Sequence, residues 1–160
     1  MARLFVIAVG RLKRASEQAL VEDYLKRARP LLKRLGFAGI ELREIAESRA
    51  DTPALRKRQE ADAIGKAGPK NAVLIALDER GDDITSRQFA ERLRQQAATG
   101  RDVAIIIGGP DGLAEELKAQ AAWQVRFGRL TWPHRLARVM LAEQLYRAGS
   151  IAAGLPYHRD

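Results

Sequence analysis

The stretch that decides the fold is VAIIIGGPDG, residues 103–112. Its first half is a run of five apolar residues without alternation, which predicts a strand that is covered on both faces. Two adjacent glycines follow, with a third before a helical segment, and they allow positive φ angles and close approach of the backbone to another group. Ligands in open parallel sheets bind at the carboxyl ends of strands. The sequence therefore places a candidate ligand site at Gly108–Gly112, with a tight connection that binds nothing as the alternative.

The same alternation of short apolar runs and amphipathic segments extends outward from this stretch in both directions. The predicted strands are Leu4–Val9, Ile40–Ile45, Ala72–Leu77, Val103–Ile107 and a fifth within Gln124–Leu130. The βαβαβαβαβα order predicts an α/β fold in one domain, residues 1–160, with a mostly parallel sheet and helices on both faces.

Start and stop signals locate the helices between these strands. Ser16 is expected to cap the first helix, and Pro30 should kink or end it, with a turn at Gly36 and Gly39. The later signals are Thr52 before Pro53, the capping-box spacing of Thr85 and Gln88, a segment Leu113–Ala121, and a last helix from about Pro133 to Ala148.

Composition limits the class of protein. The chain has 28 Lys and Arg against 20 Asp and Glu, a net charge of +8, which favours a polyanionic partner. Cysteine is absent, which excludes disulfides and a cysteine nucleophile, and two histidines give no basis for a metal site. No run reaches the roughly 18 apolar residues of a membrane span, so we expect no membrane association and a cytoplasmic protein.

Three features after the fourth strand carry the functional prediction. The loop FGRLTWPH, residues 127–134, can offer backbone groups to a purine and Trp132 to its face, although a core or interface aromatic is the alternative. The last helix is apolar on most sides, which predicts a symmetric dimer interface. The tail Tyr157–Arg159 offers a stacking ring, an imidazole and a guanidinium to RNA. Neither the dinucleotide-binding nor the P-loop glycine spacing is present, which disfavours an oxidoreductase or a P-loop enzyme.

Together these motifs resemble the RlmH, or YbeA-type, proteins over the whole chain. The resemblance rests on AVGRLK at 8–13, IGGPDGL at 107–113, LTWPH at 130–134, EQLYRA at 143–148 and PYHR at 156–159.

The resemblance implies a small SPOUT-class methyltransferase, an α/β fold whose C-terminal part is a trefoil knot, acting as a homodimer. It implies methyl transfer from S-adenosylmethionine to N3 of a pseudouridine in a 23S rRNA stem-loop, on the assembled ribosome. The cofactor would contact Leu77, Gly108, Phe127, Gly128, Arg129, Leu130, Thr131 and Trp132. The catalytic, RNA-facing residues would be Arg147, Tyr157, His158 and Arg159.

An imide nitrogen must lose its proton to attack a methyl group. We expect His158 or a neighbouring water to accept this proton, while Arg147 or Arg159 stabilises charge on the base oxygens. Two alternatives stay open from the residues themselves. One is an inactive ribosome- or RNA-binding module of the same fold, and the other is a methyltransferase that acts on a different RNA.

Overall fold

Five parallel strands form one sheet in the computed structural model, which describes residues 1–160. Their order across the sheet is β2-β1-β4-β3-β5, and every neighbouring pair is parallel. The strands are β1 (Ala2–Val9), β2 (Phe37–Ile45), β3 (Val73–Asp82), β4 (Val103–Ile107) and β5 (Trp123–Val125). All five residues of β4 are buried, as their continuous apolar run predicted.

Helices cover both faces of this sheet, so the predicted α/β class is confirmed. They are α1 (Ser16–Ala28), a 3-10 helix (Arg29–Leu35), α2 (Pro53–Ala67), α3 (Ser86–Ala98), α4 (Glu115–Ala119) and α5 (His134–Ala152). The first helix, the 3-10 helix, α3 and α5 share the larger core, while α2 and α4 pack on the opposite face. None of the helices is both long and apolar enough to span a membrane.

Two helix starts form as their sequences predicted. The Thr52 side chain accepts a hydrogen bond from the Leu55 amide, with Pro53 in the first turn. Thr85 and Gln88 form both bonds of the capping box. These bonds satisfy amide groups that a helix terminus otherwise leaves without partners, so they fix where α2 and α3 begin.

Two predictions near the N-terminus were wrong. Ser16 is not the cap of α1, because Ala15 occupies the N-cap position and no side chain caps the helix. Gly39 is not in a turn but within β2, which begins at Phe37. This strand lies at the edge of the sheet and is only partly buried, so its sequence lacks the continuous apolar signal of the central strands.

The sheet edge next to the candidate site also differs from the prediction. The third strand does not end at Leu77 but continues to Asp82, which pairs with Val125. A Cβ at Gly81 would lie 2.5 Å from the Val125 backbone, so only glycine lets the two segments approach this closely. The fifth strand is correspondingly short and starts earlier than the predicted range, at Trp123.

Candidate cofactor cleft and tail cluster

A cleft of about 560 Å³ lies at the carboxyl ends of β3 and β4. This volume is in the range of small-molecule sites, and the position is where open α/β sheets bind ligands. Three segments form its walls: residues 77–80 after β3, residues 107–113 at the glycine turn, and most of residues 126–134 before α5.

Most residues that the family resemblance assigned to the cofactor lie on this wall. They are Leu77, Gly108, Phe127, Gly128, Leu130, Thr131 and Trp132. The exception is Arg129, which is exposed and does not line the cleft. The fold thus brings together one residue from β3, one from β4's end and five from a loop that lies far away in sequence.

The glycine turn closes tightly on itself. The Gly112 amide donates to the Gly109 carbonyl at 2.9 Å, and Gly112 has a φ of +82°. A Cβ at Gly108 would lie 2.6 Å from the Gly112 carbonyl carbon, a distance that real Cβ atoms do not adopt. The turn therefore needs glycine at position 108 because a side chain would clash, and at position 112 because the backbone has a positive φ.

An ion pair that the sequence reading missed holds this turn against α2. Arg56 Nε and Nη2 donate to the two carboxylate oxygens of Asp111 at 2.7 and 3.1 Å, and Nη1 donates to the Ala50 carbonyl at 3.0 Å. The bond from Arg56 holds the pKa of Asp111 below its usual range. Such two-point pairing fixes direction as well as distance, so the turn is positioned before any ligand arrives.

The loop opposite the glycine turn, residues 127–132, is closed by a hydrogen bond from Trp132. Trp132 Nε1 donates to the Phe127 carbonyl at 2.8 Å, which bends residues 127–132 around the cleft mouth. Trp132 keeps 40% of its surface exposed and Leu130 keeps 75%, so neither is a core residue. An exposed aromatic and leucine beside a cleft are available to a ligand or to a second chain.

His134 lies where the loop becomes α5, half-buried on the cleft wall. Burial lowers the pKa of its imidazole, which favours the neutral ring. The structure thus gives His134 a place at the site. No group of three or more His, Asp or Glu side chains is arranged to hold a metal ion.

The C-terminal tail forms a second cluster, centred on Glu143. Arg147 donates to Glu143 Oε1 through Nη2 at 2.7 Å and Nε at 2.9 Å, and the Tyr157 hydroxyl donates to the same oxygen at 2.9 Å. The Tyr157 ring lies 4.5 Å from that of Tyr146. Burial and the neighbouring Glu143 raise the pKa of Tyr157 to about 12, so its hydroxyl stays a donor at neutral pH.

His158 is fixed between two charged partners. Its Nδ1 lies 3.1 Å from Arg147 Nη1, and since a guanidinium can only donate, Nδ1 accepts. Its Nε2 therefore carries the hydrogen and donates to Asp160 at 3.0 Å, while Asp160 pairs with Arg87 at 2.7 Å. The tail is thus tied to α5 and α3, and the exposed Arg159 makes no such bond.

Within one chain the cleft and the tail cluster have no residue in common. His134 and Ala137 at the start of α5 line the cleft, whereas Arg147 lies ten residues beyond Ala137 along the helix. A rise of 1.5 Å per residue puts roughly 15 Å between Ala137 and Arg147 along the axis. No residue of the tail lines the cleft. One chain therefore presents the two halves of the predicted site separately.

Comparison with known proteins identifies the family. A family model described as a predicted SPOUT methyltransferase matches residues 2–158. The chain is 49% identical to the ribosomal RNA large subunit methyltransferase H of Nitrobacter winogradskyi, covering 98% of this chain and 99% of that one. It is 48% identical to the protein of that name from a Bradyrhizobium species, covering 98% of each chain. The chain therefore belongs to the SPOUT methyltransferase family, among the ribosomal RNA large subunit methyltransferase H proteins, as its motifs predicted.

Proposed function

We propose that this protein transfers a methyl group from S-adenosylmethionine to N3 of a pseudouridine in a stem-loop of 23S rRNA, on the assembled ribosome in the cytoplasm. The cleft walled by the glycine turn and residues 127–132 carries the proposal, because two of the motifs that resemble the family, at 107–113 and 130–134, meet there. The name of its relatives, ribosomal RNA large subunit methyltransferase H, supports the RNA class. The choice of pseudouridine N3 and the trefoil knot rest on the motif resemblance.

The cleft suits a nucleoside-containing donor. Backbone groups of the glycine turn and of residues 127–132 can recognise a purine edge, and Trp132 and Leu130 offer apolar surface to the rest of the molecule. S-adenosylmethionine supplies an already activated methyl group on a sulfonium. The protein therefore has to align the acceptor and exclude water, which can account for much of the rate increase.

The second subunit of a homodimer completes the site in this proposal. No residue of the tail cluster lines its own chain's cleft, and Arg147 lies roughly 15 Å along α5 from Ala137 on the cleft wall. Leu130, Trp132 and Leu136 leave apolar surface exposed beside the cleft, with 42% exposure at Leu136. In the proposed symmetric pair this surface is covered and each tail lies at the partner's cleft, a contact that the two-fold axis repeats at the second site.

The tail residues then act on the target base. Arg147 is held by Glu143, and its guanidinium and the exposed Arg159 can stabilise negative charge on the base oxygens. The lone pair of His158 Nδ1 is already occupied, because it accepts a hydrogen bond from Arg147. We therefore assign the imide proton to water and give His158 the role of positioning Arg147.

Replacing His158 tests this role. His158→Ala is expected to lower methyl transfer about 10- to 100-fold without changing the shape of the pH–rate profile, because a positioning residue does not titrate in the reaction. His158→Asn, whose amide oxygen can accept from Arg147, is expected to recover part of the rate. A methyl-transfer assay with labelled donor from pH 5.5 to 9 measures both. Loss of one limb of the profile in the alanine variant would instead make His158 the proton acceptor.

Mapping rRNA methylation by mass spectrometry tests the function itself. A strain that lacks this protein is expected to lose one methyl group at one pseudouridine of 23S rRNA, and the cloned gene should restore it. Purified ribosomes from that strain should accept the methyl group, and free 23S rRNA should do so poorly. A map that is identical with and without the protein would favour the inactive RNA-binding module, and a loss at another nucleotide would favour a different RNA target.

A further inference from the structure

A second cleft, of about 680 Å³, lies beside the first at the carboxyl ends of β1 and β2. The loop after β1, the loop after β2 and the start of α5 form its walls. His134 lines both clefts and is the only residue they share. A ligand bound in the second cleft would therefore lie next to the first cleft, here called the cofactor cleft, without entering it.

The charge of the second cleft differs from that of the first. The cofactor cleft is balanced, with four Lys or Arg and four Asp or Glu on its wall. The second cleft has four cations against the single carboxylate of Glu47. Its cations are Arg11, Lys13, Arg49 and Arg135.

These four cations have no carboxylate partners, although most arginines elsewhere in the chain do. Arg3, Arg56, Arg87, Arg126 and Arg147 are each bonded to an Asp or Glu, while none of the four forms an ion pair or a side-chain hydrogen bond. All four are exposed. A concave group of unpaired cations concentrates positive potential and attracts anions.

The backbone beside them adds to this potential. Helix α5 begins after Pro133, and no side chain caps it. Its first-turn amides are therefore free to donate at the point where His134 and Arg135 line the second cleft. A helix of 19 residues also places the positive end of its dipole there.

A buried network holds the loop after β1 in place. Arg138 is only 2% exposed, and it donates to Glu44 at 2.5 Å and to the Val9 and Gly10 carbonyls at 3.1 and 2.8 Å. Glu44 also accepts from the Leu12 amide at 3.0 Å. The loop's cations thus project from a fixed backbone, which reduces the entropy lost on binding.

We propose that this second cleft binds phosphate groups of the RNA backbone and so sets which nucleotide reaches the cofactor cleft. The proposal rests on the RNA-methylating function above and extends it to a site outside the cofactor cleft and the tail. Backbone phosphates fit because a row of unpaired Arg and Lys, together with helix amides, is their usual binding surface in proteins. Phosphate contacts fix register without reading sequence, which suits a site beside the reacting base.

The salt dependence of RNA binding tests this site. For the double variant Arg11→Ala, Arg49→Ala, the slope of log affinity against log salt is expected to become shallower by about 1.4 to 1.8, as two lost phosphate contacts require. The matched control is Lys66→Ala, Lys70→Ala, which removes the same charge from exposed, unpaired positions on and just after α2. Fluorescence anisotropy with a labelled 23S rRNA stem-loop measures both.

Methyl transfer provides the second readout. In the Arg11, Arg49 variant the KM for RNA should rise while donor affinity, measured by calorimetry, stays at its original value. An equal slope change in both double variants would mean general electrostatics and overturn the proposal, as would an unchanged slope in the cleft variant. Failure of the proposed function would look different, because the methylation map would then be unaltered by the protein while the salt slopes could still differ.

Discussion

Gly108→Ala is expected to lower methyl transfer by about 100-fold or more, because it distorts the donor site while the chain still folds. The new Cβ would lie 2.6 Å from the Gly112 carbonyl carbon and 2.8 Å from its oxygen, so the turn must open. These contacts are backbone atoms, which cannot rotate away as the end of a side chain could. A displacement of the order of 1 Å at a positioning element costs about 100-fold in rate. Overpacking of this kind also costs about 1–3 kcal/mol of stability.

Two quantities are measured: donor affinity by calorimetry and stability by thermal unfolding. Gly65→Ala is the matched control, since it makes the same change within α2 where nothing lies within 4 Å, and it should stabilise the helix slightly. Trp132→Ala is a second cleft variant at a half-exposed residue, and it should weaken donor binding without lowering the unfolding temperature much. Normal donor affinity in both cleft variants would show that the donor binds elsewhere.

Removing Tyr157–Asp160 is expected to leave donor binding intact and to stop methylation. The cleft contains no tail residue, so its affinity should be unchanged. The truncation loses the Tyr157 bond to Glu143 and the ring contact with Tyr146, which lowers stability only modestly. Asp160→Asn is the control, because its ion pair with Arg87 is exposed and such pairs contribute about 0–1 kcal/mol.

Mixing the Gly108→Ala protein with the truncated protein tests whether the site is shared between two subunits. In a heterodimer of the Gly108→Ala chain and the truncated chain, one cleft and one tail are both intact and meet at the same site. Subunits mixed at equal amounts should therefore recover about a quarter of the original activity, since half of the dimers carry one working site of two. Absence of any recovery, with exchange confirmed by native mass spectrometry, would contradict the shared site.

The central strands and the glycine turn were predictable because each gives a local signal. A run such as Val103–Ile107 is apolar at every position only if both faces are covered, and the glycines that follow mark a tight turn. The edge strand β2 gives a weak signal because it is half-exposed, so Gly39 looked like a turn residue. Ser16 has a side chain that is typical of the N-cap position, but Ala15, one residue earlier, occupies that position.

The contacts that hold the site together could not be read from the sequence. Arg56 and Asp111 are 55 residues apart, and Arg138 and Glu44 are 94 apart, so nothing local pairs them. Arg138 is a charged residue in a helix that is apolar on most sides, yet it is among the most deeply buried large side chains. Its guanidinium donates to the Val9 and Gly10 carbonyls, which only the folded sheet brings close to α5.

The position of β1 in the sheet has a consequence for synthesis of the protein. This strand is buried at every position but one and pairs with β2 on one side and β4 on the other. β4 begins at Val103, so at about 5–20 residues per second the ribosome needs about 5–20 s after β1 to complete its second partner. During that interval β1 presents an apolar, unpaired edge of the kind that seeds aggregation. One edge of β1 therefore stays without its native partner until translation has passed the glycine turn.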